Sequence, residues 1–476
     1  MPLTVLSDAD VRTLLYSLKK EDILDIQQSL ADALHYYSTA TENDQNGCCS
    51  TYQPLRTKLK RPDGQTTLVM PASSNEGFGV KLVTLAGPDA PSTFSKPSRT
   101  DSSSTGSALP SLDSLSLSSE NTISTASSTN PVARTESLES SQSTTPRGSL
   151  TLLDKNGSTR ALINAEEITA FRTALASTML FNKRHNVHDL LVFGAGRQAY
   201  WHIRLALLLR GPEIHHLNIV NRSYMTAHNL IESLYAPHDS PASFPQINIF
   251  ANETHLARPK ISILTPQAQE YDRLLKNTVR QSAAIFCTTP SVEPLFPAAY
   301  LTNTEGRKKG RYIAAIGSYK PHMLELHPDI LKQNVQPEHG HHFHKHAKTG
   351  GAIIVDSVEA CLKEAGEIIK AGITGDQVVE IGELIMLRRD AEQRRREGGE
   401  GIDSDSTGSG VELGEVKKGK GAMGQEEKQN HSIADWLHKG NVIYKSVGLG
   451  LMDVVVGSQL VRLADERGIG TRIDNF

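Results

Sequence analysis

The chain has 476 residues, enough for two domains or more, and a hydrophobic content of 38%, which is low for a chain that is core throughout. A formal net charge of −3 gives no electrostatic argument for nucleic acid or an anionic membrane, and no apolar run approaches the length of a membrane span. Cys48, Cys49, Cys287 and Cys361 form neither a Cys-x-x-Cys pair nor a disulfide framework, and Met1 to Asp8 lack the basic start of a signal peptide, so a reducing, cytoplasmic setting is expected.

Leu6 to Tyr37 reads as helical, with Ser7 as cap and Val11, Leu14, Leu15, Leu18, Ile23, Ile26, Leu30 and Leu34 at helical intervals. Strands are expected at Leu55 to Lys60, Thr66 to Pro71 and Phe78 to Leu85, the first two joined by the turn Pro62-Asp63-Gly64. From Ala86 to about Thr144, Ser and Thr dominate, and such a segment buries too little apolar surface to offset its chain entropy. Leu150 to Leu153 and Ala161 to Ile163 read as a hairpin around Asn156-Gly157. Asn164 to Glu167 resembles a capping box opening a helix from Ile168 to Phe181. That helix carries Arg172 beside Thr173, Ala174, Ala176 and Ser177, small residues that predict close packing against another element or a ligand.

Leu190 to Phe193 is a short apolar run ending in Gly194-Ala195-Gly196-Arg197-Gln198-Ala199. A helical pattern follows through Trp201, Ile203, Leu205, Ala206 and Leu209. Strand, glycine turn and helix start in this order are a dinucleotide-binding unit. Gly194 makes the sharp turn, Gly196 lets the backbone approach a pyrophosphate, and Ala199 lets the helix lie close to the sheet. The helix N-terminus supplies free N–H groups to the phosphates. The second strand, His216 to Val220, ends at Asn221-Arg222-Ser223, and a helix runs from Thr226 to about Tyr235. Buried strands are expected at Ala283 to Phe286, Tyr312 to Ile316 and Ile353 to Val355. They enter Cys287-Thr288-Thr289-Pro290, Gly317-Ser318-Tyr319-Lys320-Pro321 and Asp356-Ser357, respectively. Alternating strands and helices imply a doubly wound parallel sheet with its site at the strand C-termini. The segment from Asn441 leads into a helix from Leu449 to Arg467.

Two further stretches look inserted: a histidine-rich loop at 338–346 and a charged, glycine-rich run at 390–431. Neither presents a defined metal site, because no Cys or carboxylate pattern completes the histidine run. Cys287 is expected to pack at a strand end and not to act as a nucleophile.

Several motifs occur together in one order. They are Leu6-Ser7-Asp8-Ala9-Asp10-Val11, Gly79 to Val83, Arg172-Thr173-Ala174 and the glycine turn. Gly317 to Pro321, Val355-Asp356-Ser357 with Glu364-Ala365-Gly366, and Tyr444 to Gly448 complete the series. Outside the insertions, the chain resembles the ornithine cyclodeaminase/mu-crystallin family. The resemblance implies an α/β fold in which a Rossmann-type sheet is inserted into a discontinuous α+β substrate-binding and dimerisation domain, and a homodimer. The divisions are then 1–85 and 148–182 for the first domain, 183–389 for the Rossmann domain, and 432–476 for a segment returning to the first. Residues 86–147 and 390–431 are insertions.

The resemblance also implies site roles. Arg56, Lys81 and Arg172 match positions that bind the substrate carboxylate. Lys81, between Val80 and Leu82, and Arg172, among small residues, read as buried cations needing a partner. Thr288, Thr289 and Ser446 match cofactor contacts. An NAD site carries an acidic residue at the end of the second strand, whereas Asn221-Arg222-Ser223 offers a cation and donors for a 2′-phosphate, so NADP(H) is preferred and NAD(H) admitted. Ornithine cyclodeaminases have a catalytic Asp where this chain has Tyr319, and a phenol is a poor base at neutral pH. The expected activity is reduction of a C=N bond next to a carboxylate in an imino or amino acid, with Lys81 as a proton source. An NAD-using ornithine cyclodeaminase and a non-catalytic crystallin-like binder are the alternatives.

Overall fold

The computed structural model describes residues 2–39, 53–54, 56–62, 64–75, 77–85, 147–236, 256–335, 353–384 and 436–476. Cys48, Cys49, Leu55, Asp63, the histidine-rich 338–346, the charged 390–431 and the Ser/Thr-rich insertion up to residue 146 lie outside them.

The elements begin β1 (Leu3–Leu6), α1 (Asp8–Tyr16), α2 (Lys20–Thr39), β2 (Thr57–Lys60), β3 (Thr66–Ser74), β4 (Gly77–Leu85), β5 (Arg147–Leu153), β6 (Thr159–Asn164) and α3 (Ala165–Phe181). They continue with β7 (Asp189–Phe193), α4 (Arg197–Arg210), β8 (His216–Val220), α5 (Tyr224–Tyr235), β9 (Lys260–Leu264), α6 (Tyr271–Gln281), β10 (Ala284–Cys287), α7 (Ala299–Thr302), β11 (Tyr312–Ala315) and α8 (Pro328–Val335). The last are β12 (Ile353–Val355), α9 (Val358–Glu364), α10 (Gly366–Ala371), β13 (Val378–Glu380), β14 (Val442–Lys445), α11 (Gly450–Arg467) and β15 (Thr471–Ile473).

The first sheet has the order β15-β1-β6-β5-β4-β3-β2. It is antiparallel except where β1 lies parallel to β6. Alternation along β4 sends Lys81 to the face covered by α3 and α11, in register with Met70 and Leu150. Thr84 pairs with Arg147, so the chain leaves and re-enters this sheet at one point around the Ser/Thr-rich insertion. A long insertion at the end of a hairpin adds little loop-closure cost.

The segment expected as one helix from Leu6 to Tyr37 divides into β1, α1 and α2. Ser7 and Asp10 form a reciprocal capping box at the start of α1. The break follows Tyr16, where the Ser17 hydroxyl donates to the Leu14 carbonyl at 2.6 Å. The Asp22 carboxylate then accepts from the Lys19 N–H at 2.9 Å and starts α2. The expected capping box at Asn164 is only half present. Asn164 accepts from the Glu166 N–H, but Glu167 turns away to accept from the Trp201 indole at 2.6 Å. Helix α3 is buried on nearly every side and packs on α4, α11, α1 and α2, which accounts for its small residues.

The second sheet is parallel throughout, in the order β13-β12-β14-β11-β10-β7-β8-β9. Connections reverse direction between β7 and β10, which opens a crevice at their C-terminal ends. One boundary needs correction. The chain does not return to the first sheet at residue 432, because β14 is an interior strand of the second sheet, between β11 and β12. It crosses back only after Lys445, through the loop that leads into α11. Among the described residues, no helix is long and apolar enough to cross a membrane.

Candidate functional site

The crevice starts at Gly194, whose φ is +104°. A Cβ there would lie 2.9 Å from both Thr288 Oγ1 and Thr289 Cγ2, so glycine is required by backbone and neighbour alike. Gly196 caps α4 in an extended conformation, and a Cβ on it would meet nothing within 4 Å. No side chain caps α4 and its first turn carries no acid, so the helix end presents N–H groups to open space. Ala199 is buried against the sheet. Arg197 turns away from this space to pair with Glu166 at 3.0 Å. Gln198 reaches the Thr169 carbonyl at 3.5 Å, leaving its own buried Oε1 without a hydrogen bond.

At the end of β8, Asn221 donates to the Ser223 carbonyl at 2.8 Å and Ser223 accepts from the Thr226 N–H at 3.3 Å. Both side chains shape the turn, and Arg222 between them is exposed. At the end of β10, Thr288 donates to the Phe193 carbonyl at 2.7 Å, while Thr289 Oγ1 is buried with no hydrogen-bond partner. A buried hydroxyl with no partner, beside an uncapped helix end, fits a polar ligand.

Beneath these turns lies a buried cluster that sequence reasoning missed. Glu325 accepts from the Thr289 N–H at 2.8 Å and the Gly317 N–H at 2.7 Å, tying the β10 and β11 turns together. Ser318 contacts both Glu367 and Lys445, and Lys445 lies 3.4 Å from Glu367. Burial pushes Glu325 up to about 7, against the pull of Lys445. Asp356, fully buried after β12, accepts from the Ser446 hydroxyl at 2.7 Å and the Gly448 N–H at 2.7 Å. Ser446, expected against a cofactor, therefore donates its hydroxyl to a structural carboxylate. Tyr319 is half-buried, which raises its phenol above the ordinary value, and the Lys320 ammonium lies 5.6 Å from its ring centre. Cys287 is buried, and burial raises its thiol well above the ordinary value.

The basic residues converge on the loop leaving β14. Lys81 is 1% exposed, and its ammonium lies 2.6 Å from Asp453 Oδ1 and 2.8 Å from Thr169 Oγ1. Burial lowers its pKa to about 8, opposed by Asp453. Arg172 Nε approaches the same Asp453 oxygen at 3.3 Å. Gly448 (φ +89°) lies so close to the Arg172 guanidinium that a Cβ would sit 2.6 Å from Nη2. Arg56 pairs with Glu364 at 2.7 Å and reaches the Gly448 carbonyl at 3.4 Å. The partner demanded by the two buried cations is thus present within the chain, as Asp453.

No protein-family model matches the chain. An uncharacterized protein of Saccharomyces cerevisiae is 29% identical over 47% of this chain and 59% of its own length. A Delta(1)-pyrroline-2-carboxylate reductase of Bacillus cereus is 24% identical over 67% of this chain and 71% of its own. The ketimine reductase mu-crystallin of Rattus norvegicus is 25% identical over 50% and 59%. The match thus spans less than two thirds of the yeast and rat proteins. Among solved structures, an archaeal alanine dehydrogenase dimer with bound NAD superposes with a TM-score of 0.57 at 17% identity, covering 100% of both chains. The Thermococcus litoralis Delta(1)-pyrroline-2-carboxylate reductase, in complex with NADH and L-proline, gives 0.55 at 17%, covering 99% of each. A probable ornithine cyclodeaminase from Bordetella pertussis gives 0.56 at 16%, covering 98% of this chain and 99% of its own. At these identities the superpositions carry the fold. The chain is thus similar in sequence to pyrroline-2-carboxylate reductases and ketimine reductase mu-crystallins, and in fold to a probable ornithine cyclodeaminase.

Tyr319 stands where the resemblance sets an Asp in cyclodeaminases, and the structure puts Asp453 beside Lys81. Its signal was in the sequence. Asp453 is a lone acid in the apolar run Leu449 to Val456, just as Lys81 is a lone base in an apolar strand. Lys445, at the end of the apolar run Val442-Ile443-Tyr444, carried the same kind of signal, whereas nothing local marked Glu325 and Glu367.

Proposed function

We propose that the chain is an NADP(H)-dependent reductase of C=N bonds adjacent to a carboxylate, acting on cyclic ketimine or related imino acids as a homodimer. One observation carries this reading. Among the described residues, Arg56, Lys81 and Arg172 pair with two carboxylates, Asp453 and Glu364, and the exposed Lys58 shares Glu364, which leaves uncompensated positive charge in a largely buried site beside the strand ends. A monocarboxylate balances it, and the nitrogen beside that carboxylate is most easily accepted as a neutral imine. The named activities of the Bacillus and rat relatives point the same way.

The residues divide the work. Gly194, Gly196 and Ala199 shape a cradle for the pyrophosphate at the start of α4, and Thr289 offers its unpartnered hydroxyl to the nicotinamide half. A reduced nicotinamide bound there supplies hydride to the imine carbon. Arg56 and Arg172 hold the substrate carboxylate, and Lys81 gives a proton to the imine nitrogen. Tyr319 lines the substrate side. Arg222, exposed at a strand end with no acid at the adjoining turn positions, supports NADP(H) over NAD(H), although the archaeal alanine dehydrogenase holds NAD and the Thermococcus reductase NADH. The homodimer reading rests on an apolar outer face of the first sheet, where Phe78, Leu82 and Leu162 are exposed.

The test is a titration with NADPH and NADH, followed by assay with pyrroline-2-carboxylate and L-ornithine. NADPH consumption with the imine is expected. Arg222→Ala should weaken NADPH binding about tenfold and leave NADH binding unchanged. Release of ammonia and proline from ornithine without net cofactor consumption would overturn the reductase reading in favour of the lyase.

A further inference from the structure

The Lys81 ammonium has three N–H groups. One donates to Asp453 Oδ1 at 2.6 Å and one to Thr169 Oγ1 at 2.8 Å. Thr169 spends its own hydrogen on the Ala165 carbonyl at 2.6 Å, so toward Lys81 it only accepts. Among the described residues, the third N–H has no hydrogen-bond partner. Asp453 Oδ1 is also the atom approached by Arg172 Nε, at 3.3 Å, whereas Oδ2 is buried and receives no hydrogen bond. One carboxylate oxygen thus sets the spacing between the two basic groups.

We propose that Asp453 is a positioning residue for Lys81, keeping the ammonium charged and aimed so that its third N–H is delivered to the substrate nitrogen. The inference rests on the reductase reading and adds a residue to it. In the step, the C=N π pair becomes the nitrogen's bond to the Lys81 proton, as hydride forms the new C–H bond. Lys81 is left as the neutral amine, and water reprotonates the lysine between turnovers.

The charged surroundings of Lys81 make Asp453 decisive. Asp453 faces it from α11, Arg172 from α3, and Arg56 from the segment before β2. Thr169 on α3 and its register neighbours Met70 and Leu150 add no charge. Without Asp453, Lys81 is left buried with two cations and gives up its proton at lower pH. Burial and the two arginines lower the Lys81 pKa to about 8 while Asp453 opposes them.

Two measurements test this. The first is the pH profile of kcat/KM. The second is calorimetric binding of the non-reducible carboxylate pyrrole-2-carboxylate to the chain without cofactor, from about pH 6 to about pH 10. In the unaltered chain, both should fall as Lys81 deprotonates. Asp453→Asn should move both falling limbs at least about one unit toward acid. Asp453→Glu should restore the limb while kcat falls more than KM rises, because the charge is kept and the aim is changed. An Asn variant whose limbs do not move overturns the proposal. Should that variant not fold, a Glu variant with a displaced limb or an unchanged kcat overturns it equally. A chain that binds the probe with the expected limb but reduces no imine would count against the reductase reading and leave the Asp453–Lys81 linkage standing.

Discussion

Gly194 and Gly196 stand two residues apart and answer to different constraints. At Gly194 a side chain is refused by the protein itself, through a positive φ and contact with Thr288 and Thr289. At Gly196 none of the described residues stands within 4 Å of the missing Cβ, which leaves that space to a ligand. Gly194→Ala is therefore expected to destabilise the chain by about 1–3 kcal/mol, lowering the urea midpoint. Gly196→Ala should leave that midpoint within about 0.5 kcal/mol and weaken dinucleotide binding on the order of tenfold, read by fluorescence titration. Normal dinucleotide affinity in the Gly196 variant would mean that the phosphates lie elsewhere. At this scale the sequence was legible where a residue contradicted its neighbours: a base in an apolar strand, or glycines at the end of an apolar run. It was opaque as to which distant residue answers another, as Asp453 answers Lys81 from 372 positions away and Asp356 answers Ser446 from 90.

Among elements, β14 has the largest consequence for the site. It fills the place between β11 and β12 and brings Lys445 under the Gly317-Ser318-Tyr319 turn. Its four residues are all buried, and Lys445 is kept there by Glu367 and Ser318. Lys445→Met would leave Glu325 and Glu367 without their cation and should cost about 3–5 kcal/mol by urea unfolding. Adding Glu367→Gln should recover part of that loss, with a coupling energy of at least about 1 kcal/mol in the double-mutant cycle. A Lys445→Met chain as stable as the original would show that the cluster is already neutral by protonation. The contrast with the well-read elements is physical. β7 and α4 carry their own signals in apolar run, turn glycines and helical period. β1, β14 and β15 are three or four residues long, too short for a period, and exist because a neighbouring strand offers a free edge. The division of α1 from α2 was hidden for a related reason: Leu18 preserves the apolar rhythm while the Ser17 hydroxyl ends the helix.

On the scale of the whole molecule, the described residues cover the first sheet on one side only. Helices α1, α3 and α11 take the face that carries Met70, Lys81, Leu150 and Ile163, and α2 packs on α3 and α11. By strand alternation, the other face carries Val69, Pro71, Phe78, Val80, Leu82 and Leu162, with Leu82 opposite Val69 and Val80 opposite Pro71. Phe78 and Leu82 on β4 are each 40% exposed and Leu162 on β6 is 42% exposed, with β5 and its Thr151 between them. A sheet face with exposed apolar residues of this kind is matched by a second copy of itself across a twofold axis, which closes the assembly and covers both faces at once. The chain is therefore expected to sediment as a dimer. Leu82→Asp with Leu162→Glu places two charges on the outward face without touching the buried one. That pair should leave the thermal midpoint of the dissociated chain near that of a folded domain while shifting the sedimentation coefficient to the monomer's. Since Lys81 lies on the same strand as Leu82 but points inward, carboxylate binding should survive dissociation to within a few-fold. A monomeric parent chain, or a double variant that remains dimeric, would show that this face is covered by something other than its own copy.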